Sequence, residues 1–381
     1  CCSNYVRSGA ASHSRSNMQT VSIMLRWLLL AAAFAIGQRA DAYSRWQIAT
    51  NTTLQAKLAR EHLLKNNINA NDKNVMKERL LIPILHSHST NVSELSRDER
   101  DLAYHYALKR AVDSLIEYLM PTTTLDIFIF LRPKHMAGAP EWLTNNSHVL
   151  MLPIHEAGYQ MPHHMLRPKD MGWSTWDSDD YRMMGDWRLT FQPAFAREMG
   201  YQYVLQYDSD SCIGRPAKIN LVSFMRDNKL WLANNPWFFN ELDGYFVGLP
   251  ELTAFWLRTR GRKPVGCIFD YTRPHDLSGL MSMANGSSAG HNPEGWTGWQ
   301  GYMLSGHFMV MDLDWWFDRY MQDYVQLVVR TGAHIEHRWN ELSVQSMMWQ
   351  VFVPEQHFHS FKESEIEGHH GRREFGGWGR H

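Results

Sequence analysis

Residues 203 to 212 read YVLQYDSDSC, so Asp208 and Asp210 close a run of aromatic and aliphatic residues. Neighbouring carboxylates repel each other. They stand together in a polar turn, where Asp and Ser are favoured, or where a cation neutralises them. Mg²⁺ or Mn²⁺ held at the mouth of a strand in turn holds a diphosphate. A second pair of this spacing is Asp312 and Asp314. Histidines are paired at His86/His88, His163/His164 and His369/His370, but the chain has no H-E-x-x-H, which leaves a metal-dependent hydrolase weakly supported. A lone D-x-D fits a turn or a metal site, and the elements that carry it must decide.

The run Tyr203–Tyr207 has strand character. Three similar runs precede it: Leu80–Leu85, Leu125–Leu131 and His148–Ile154. Between the first two lies a stretch with apolar residues at helical spacing, SRDERDLAYHYALKRAVDSLIEYLM. A further helix, DDYRMMGDWRLTFQPAFAREMG, feeds directly into YQYVLQYDSDS. Strands alternating with helices predict an α/β fold around a mostly parallel sheet. The acidic pair then ends the fourth strand, and ligands of open α/β sheets bind outside the carboxyl ends of strands. That placement favours the metal. Later segments predict a short helix in NLVSFMRDNKLWL and a strand then a helix in DGYFVGLPELTAFWLRTRGR. Residues 284–301 predict a Gly-rich loop, GHFMVMDLDWWFDRYMQDYVQLVVRTG a strand running into a helix, and HIEHRWNELSVQSMMWQVFVP another helix.

The 381 residues suffice for one large domain or two ordinary ones. A net charge of -1, without a long Lys/Arg block, argues against a nucleic-acid partner. Sixteen tryptophans suit the stacking of sugar faces, and core packing equally. MLRWLLLAAAFAIGQRADAY is too short an apolar stretch for an ordinary spanning helix. It reads as a secretory signal peptide or a short signal anchor. Residues 1–42 are therefore a leader, 43–78 a polar helical stem, and 79–381 the functional domain. Four N-x-S/T sequons, at Asn51, Asn91, Asn145 and Asn285, fit the secretory pathway. Past the leader only Cys212 and Cys267 stand, as a disulfide or as two thiols.

Five stretches in order resemble the fungal α-1,2-mannosyltransferases of glycosyltransferase family fifteen. They are YRMMGDWRLTFQPAFAREMGYQYVLQYDSDS, SFMRDN, GHFMVMDLDWWFDRYMQDYVQLVVRTG, HRWNELSVQSMMWQVFVP and HFHSFKESEIEGHHG. The resemblance covers roughly residues 180 to 371, and residues 80 to 155 by pattern. It implies a single Rossmann-like, GT-A type domain in a Golgi or endoplasmic reticulum protein. The membrane is touched only through the N-terminal segment. It implies transfer of mannose from GDP-mannose to a mannosylated glycan with retention, using Mn²⁺ or another divalent cation. Asp208 and Asp210 fall on the family's acidic pair. The family's late histidine ligand falls on His369 or His370, with His370 preferred. Tyr181 and Arg182 match a Tyr-Arg pair near donor and acceptor, and Arg338 and Trp339 match as well.

Three departures bear on the chemistry. The glutamate that the family carries before its D-L-D is Met309 here, and methionine forms no glycosyl ester. Front-face attack, a substitute carboxylate (Glu341 or Asp312), or a sugar-binding relative without transferase activity all accommodate the change. The family's Gly-Asp after Arg-Trp is Asn340-Glu341, which makes Glu341 the candidate catalytic carboxylate. The arginine after the first strand is replaced by His86 and His88. Asp314 is expected to cap a helix beginning at Trp315. Trp296, Trp299 and Trp339 are open to both sugar stacking and core packing.

Overall fold

The computed structural model describes residues 54–86, 97–154, 159, 161, 179–236, 238–241, 245–272, 299–337 and 339–370, with 97–104, Lys134 and His370 as backbone alone. Four strands lie where the apolar runs predict them: β1 Leu80–His86, β2 Leu125–Leu131, β3 Val149–Pro153 and β4 Tyr203–Tyr207. Their side chains alternate between two buried faces. Leu81, Leu85 and Val204 join one core, while Leu80, Ile82, Leu205 and Tyr207 join the other. Burial on both sides explains the unbroken hydrophobic runs, the signature of a covered parallel sheet.

β6 Leu232–Asn234, β9 Phe308–Asp312 and β10 Phe358–Ser360 complete a seven-stranded sheet of order β3-β2-β1-β4-β9-β6-β10, while β7 Phe238–Asn240 and β8 Tyr302–Leu304 pair with each other apart from it. β1 to β4 are parallel, β9 runs against both β4 and β6, and β10 runs with β6. Only β9 is reversed among these strands. The chain moves outward from β1 to β3 and returns to β4 on the other side of β1. The switch point, where α/β sheets bind ligands, therefore lies at the carboxyl ends of β1 and β4.

Helices cover both faces. α1 spans 54–65, α2 Arg97–Ser114, α3 Asp179–Leu189, α4 Phe191–Met199 and α5 Leu221–Asp227. α6 spans Leu249–Thr259, α7 Leu313–Trp316, α8 Arg319–Thr331, α9 Ala333–Glu336 and α10 Glu341–Phe352. Gly200, at φ 90°, ends α4 in the left-handed conformation and turns the chain into β4.

Several expectations change. The segment predicted as one helix before β4 is two, α3 and α4, broken at Thr190. HIEHRWNELSVQSMMWQVFVP likewise forms α9 and α10. The described part of the expected stem is no spacer: Ala56, Ala59, Leu63 and Met76 are buried in the core that holds Phe195 and Tyr201. Alanines at helical spacing let α1 approach closely, which a polarity count overlooks. Cys212 and Cys267 are free thiols. The leader and most of the Gly-rich loop, Trp296 included, lie outside the described residues.

Candidate active site

β4 ends in Tyr207, and Asp208 begins a tight turn closed by the Ser211 N–H donating to the Asp208 carbonyl at 3.1 Å. The chain then enters β5, Ser211–Ile213. Ser114, the last residue of α2, anchors this turn. Its hydroxyl accepts the Ile213 N–H at 3.1 Å and lies 3.3 Å from the Tyr207 hydroxyl. β5 pairs antiparallel with β11, Gly368–His370, so that His369 stands opposite Cys212 and His370 opposite Ser211. Two segments more than 150 positions apart thus meet, and the late His pair is brought to the strand that leaves the D-x-D turn.

The charge on the acidic pair has an internal partner that the sequence reading missed. Arg188, near the end of α3, donates one guanidinium nitrogen to Asp208 Oδ1 and another to Glu341 Oε1, the latter at 2.6 Å. The side chains of Arg188 and Glu341 are 6% and 2% exposed, and that of Asp208 is 21% exposed. Burial by itself lowers the Arg188 guanidinium, but Asp208 and then Glu341 outweigh it and hold it above its ordinary value. A buried cation between two carboxylates is the arrangement that lets such charges stay in a dry place. The available signal was an arginine among buried residues of α3, which requires a carboxylate somewhere. Which carboxylate is decided only by the fold.

Glu341 opens α10, behind Asn340. Asn340 is the N-cap, its side chain accepting from the Ser343 N–H at 2.8 Å. A helix N-terminus favours an anion. Gly185 of α3 gives the carboxylate room, since a Cβ there would lie 3.1 Å from Glu341 Oε2. That oxygen is buried and has no hydrogen-bond partner among the described residues.

Met309 is fully buried on β9, directly across from Gln206 of β4 and Asn234 of β6. Gln206 donates to the Gly306 carbonyl at 3.1 Å and accepts from Gln345 of α10 at 2.9 Å. The place of the family's glutamate therefore lies in a row of neutral amides. Asp312 cannot substitute. It pairs with Tyr203 at the opposite end of β4 from Asp208, five residues or about 17 Å along the strand. There Asp312 itself caps α7, accepting from the Asp314 N–H at 2.8 Å. Asp314 is not the cap, as expected from sequence, but an exposed partner of Arg197 at 2.5 Å.

The remaining candidates separate. Arg182 is buried, and its guanidinium donates to the carbonyls of Ile335 and Glu336 at the end of α9. Tyr181 is half-buried beside it. Trp339 is buried, its indole N–H donating to the Val247 carbonyl at 2.8 Å. Trp299 is buried likewise, on Gln350 at 2.7 Å. Both tryptophans pack in the core. His86 is fully buried at the end of β1, its ring 5.5 Å from that of His105. The His369 ring is held by Glu367 at 2.6 Å. Arg338 and His88 lie outside the described residues.

Among the described residues no three His, Cys, Asp or Glu side chains stand together as a metal site. The described part supplies two carboxylates at a strand end, with a strand carrying two histidines in register beside them. Those are suitable donor types for Mn²⁺.

A seven-stranded, mostly parallel sheet with one reversed strand and an acidic turn at its switch point defines an α/β, Rossmann-like domain. Solved structures bear this out. The mannosyltransferase Ktr4p from S. cerevisiae in complex with GDP is 15% identical, over 77% of this chain and 71% of that one, with a TM-score of 0.56. Core-mannan synthase A from Aspergillus fumigatus, in its Mn/GDP form, is 13% identical, over 77% and 74%, with a TM-score of 0.57. The chain shares the fold of these two structures. No family profile and no curated sequence matches it.

Proposed function

We propose that the chain is a retaining, metal-dependent glycosyltransferase. It would move mannose from GDP-mannose to a mannoside on a glycoprotein or glycolipid of the secretory pathway. One observation carries the reading: Asp208 and Asp210 leave the switch point of the sheet, with Arg188 bridging Asp208 to Glu341 and the His369–His370 strand in register alongside. The solved relatives, one bound to GDP and one in a Mn/GDP form, support the donor class and the cation.

In this reading Asp208, Asp210 and His370 hold a divalent cation, Mn²⁺ for preference. Such a cation supplies positive charge against the diphosphate as it leaves. Arg188 fixes Asp208 and Glu341 in place and keeps both compatible with burial. Tyr181, Arg338 and Trp339 are assigned to the rim or the support of the donor and acceptor sites. The bond from the anomeric carbon to the diphosphate oxygen breaks, and a bond to the acceptor oxygen forms on the same face. The acceptor proton passes to a diphosphate oxygen or to Glu341. Neither route needs a carboxylate at 309. The leader, as a signal peptide or short anchor, would direct the domain to the Golgi or endoplasmic reticulum lumen.

The neutral row around Met309 favours a second reading, a carbohydrate-binding relative that no longer transfers. Turnover separates the two. Purified protein from residue 44 onward is assayed with GDP-mannose and other nucleotide sugars on a mannoside acceptor, with Mn²⁺ or chelator, beside Asp208→Ala. Mn²⁺-dependent transfer lost in the variant supports the enzyme. Sugar binding without turnover of any donor supports the second reading.

A further inference from the structure

The strand that carries the late histidines is held from two sides. β5 and β11 have three residues each and form a two-stranded ribbon apart from the seven-stranded sheet. So short a ribbon is marginal by itself. Its second support is Asn235, the residue after β6, which is buried. The Asn235 backbone N–H donates to the Phe308 carbonyl at 3.1 Å, which fixes Asn235 to the first residue of β9. Phe308 stands opposite Tyr207, the residue before Asp208. The Asn235 side-chain amide donates to the Gly368 carbonyl of β11 at 3.0 Å, and the same nitrogen lies 3.1 Å from His307 Nε2. The approach is tight, since a Cβ on Gly368 would lie 2.6 Å from Asn235 Nδ2.

Proton positions settle the orientation of this amide. Its nitrogen has two hydrogens, and two acceptors stand before it. Turned over, it would set its oxygen against the Gly368 carbonyl. His307 Nε2 therefore accepts, and the ring proton sits on Nδ1, beside the Ser305 hydroxyl. The Gly306 carbonyl between them accepts from Gln206 of β4 at 3.1 Å, so this segment is tied to the strand that ends in front of Asp208. Ser305 and His307 are buried as well. The contacts close a ring. From Asp208 the chain turns into β5, β5 pairs with β11, Asn235 joins β11 to β9, and β9 pairs with β4, which leads back to Asp208. In a buried network of this kind each lost partner leaves a polar group stranded.

We propose that Asn235 is a positioning residue for the cation: it ties β11 to the large sheet, so that the histidines of this strand stand beside the turn of the acidic pair. The proposal deepens the transferase reading and rests on its cation. Asn235→Ala deletes both side-chain contacts. Mn²⁺ titration of the full chain, followed by electron paramagnetic resonance, tests it, and hydrogen exchange at residues 365–370 gives a readout without metal. Mn²⁺ affinity is expected to weaken by at least about tenfold, the scale on which outer partners of metal ligands act. Exchange at residues 365–370 is expected to quicken while the β4 amides keep their protection. Gly368→Ala reaches the same contact from the strand side, because its methyl group meets Asn235 Nδ2. It should weaken Mn²⁺ likewise, and it replaces Asn235→Ala should that variant not fold. A residue that serves stability alone would lower Tm and leave Mn²⁺ affinity and local exchange where they are. That result in either folded variant overturns the proposal while the cation reading stands. A wild-type chain that binds no Mn²⁺ overturns the cation reading, and this proposal with it, before any variant is compared.

Discussion

Removal of Arg188 is the sharpest test of the site. Arg188→Met keeps the volume on α3 and deletes the cation between Asp208 and Glu341. Asp208, 21% exposed, can recover water, but Glu341 is 2% exposed and, among the described residues, has Arg188 alone on its Oε1. Each pair attracts by about 4 kcal/mol at an effective dielectric of 20, and desolvation offsets much of that. Breaking such a buried pair by deleting one partner costs about 3–5 kcal/mol. For a chain of this size that is a fall in Tm of about 6–10 °C. A double-mutant cycle with Glu341→Gln isolates the cause. Once the carboxylate is neutral, losing the arginine should cost about 2 kcal/mol less. Because the group is buried, the deficit should persist in high salt, unlike that of a surface pair. A Tm change below 2 °C, on the same scale of roughly 2 °C per kcal/mol, or strictly additive variants would refute the idea that Arg188 holds this cluster together.

Burial pushes the Asp312 carboxyl up to about 6, against the opposing hydrogen bonds from the Asp314 N–H and Gln202. The unfolded chain loses this proton near its ordinary value of about 4, so the native state holds the extra proton between the two. Stability should therefore fall by roughly 2–3 kcal/mol as pH rises from about 4 to 6. Asp312→Asn keeps the cap and removes that slope, and parallel pH–Tm curves for the two proteins would contradict this. Met309→Leu should cost less than about 1.5 kcal/mol and leave turnover intact, whereas Met309→Glu should cost more than about 3 kcal/mol by burying a charge among amides. Loss of turnover in a folded Met309→Leu would show that the sulfur side chain serves the chemistry. His370→Ala should weaken Mn²⁺ binding, read by electron paramagnetic resonance, by at least about tenfold. Unchanged affinity would remove His370 from the metal site.

The sequence alone determined the local architecture. Leu125–Leu131 and Tyr203–Tyr207 are strands within the bounds their apolar runs predict, because continuous β-branched and aromatic residues suit a sheet buried on both faces. The acidic turn after β4 was legible for the same reason: a buried strand cannot continue through two carboxylates. The direction of β9 was not legible, since a strand buried on both sides reads alike in parallel and antiparallel settings. Nor was the split of roles between two D-x-D pairs identical in pattern. Antiparallel pairing carries Asp312 to one end of β4 while Asp208 stands at the other. Arg188, Asp208 and Glu341 are far apart in the chain and meet only in space. The pairing of β5 with β11, which brings His370 opposite Ser211, is likewise a tertiary event. Periodicity and turn chemistry act over a few residues, and a sequence displays them directly. Charge pairing and strand direction depend on which distant segments the core brings together, and only the folded chain decides that.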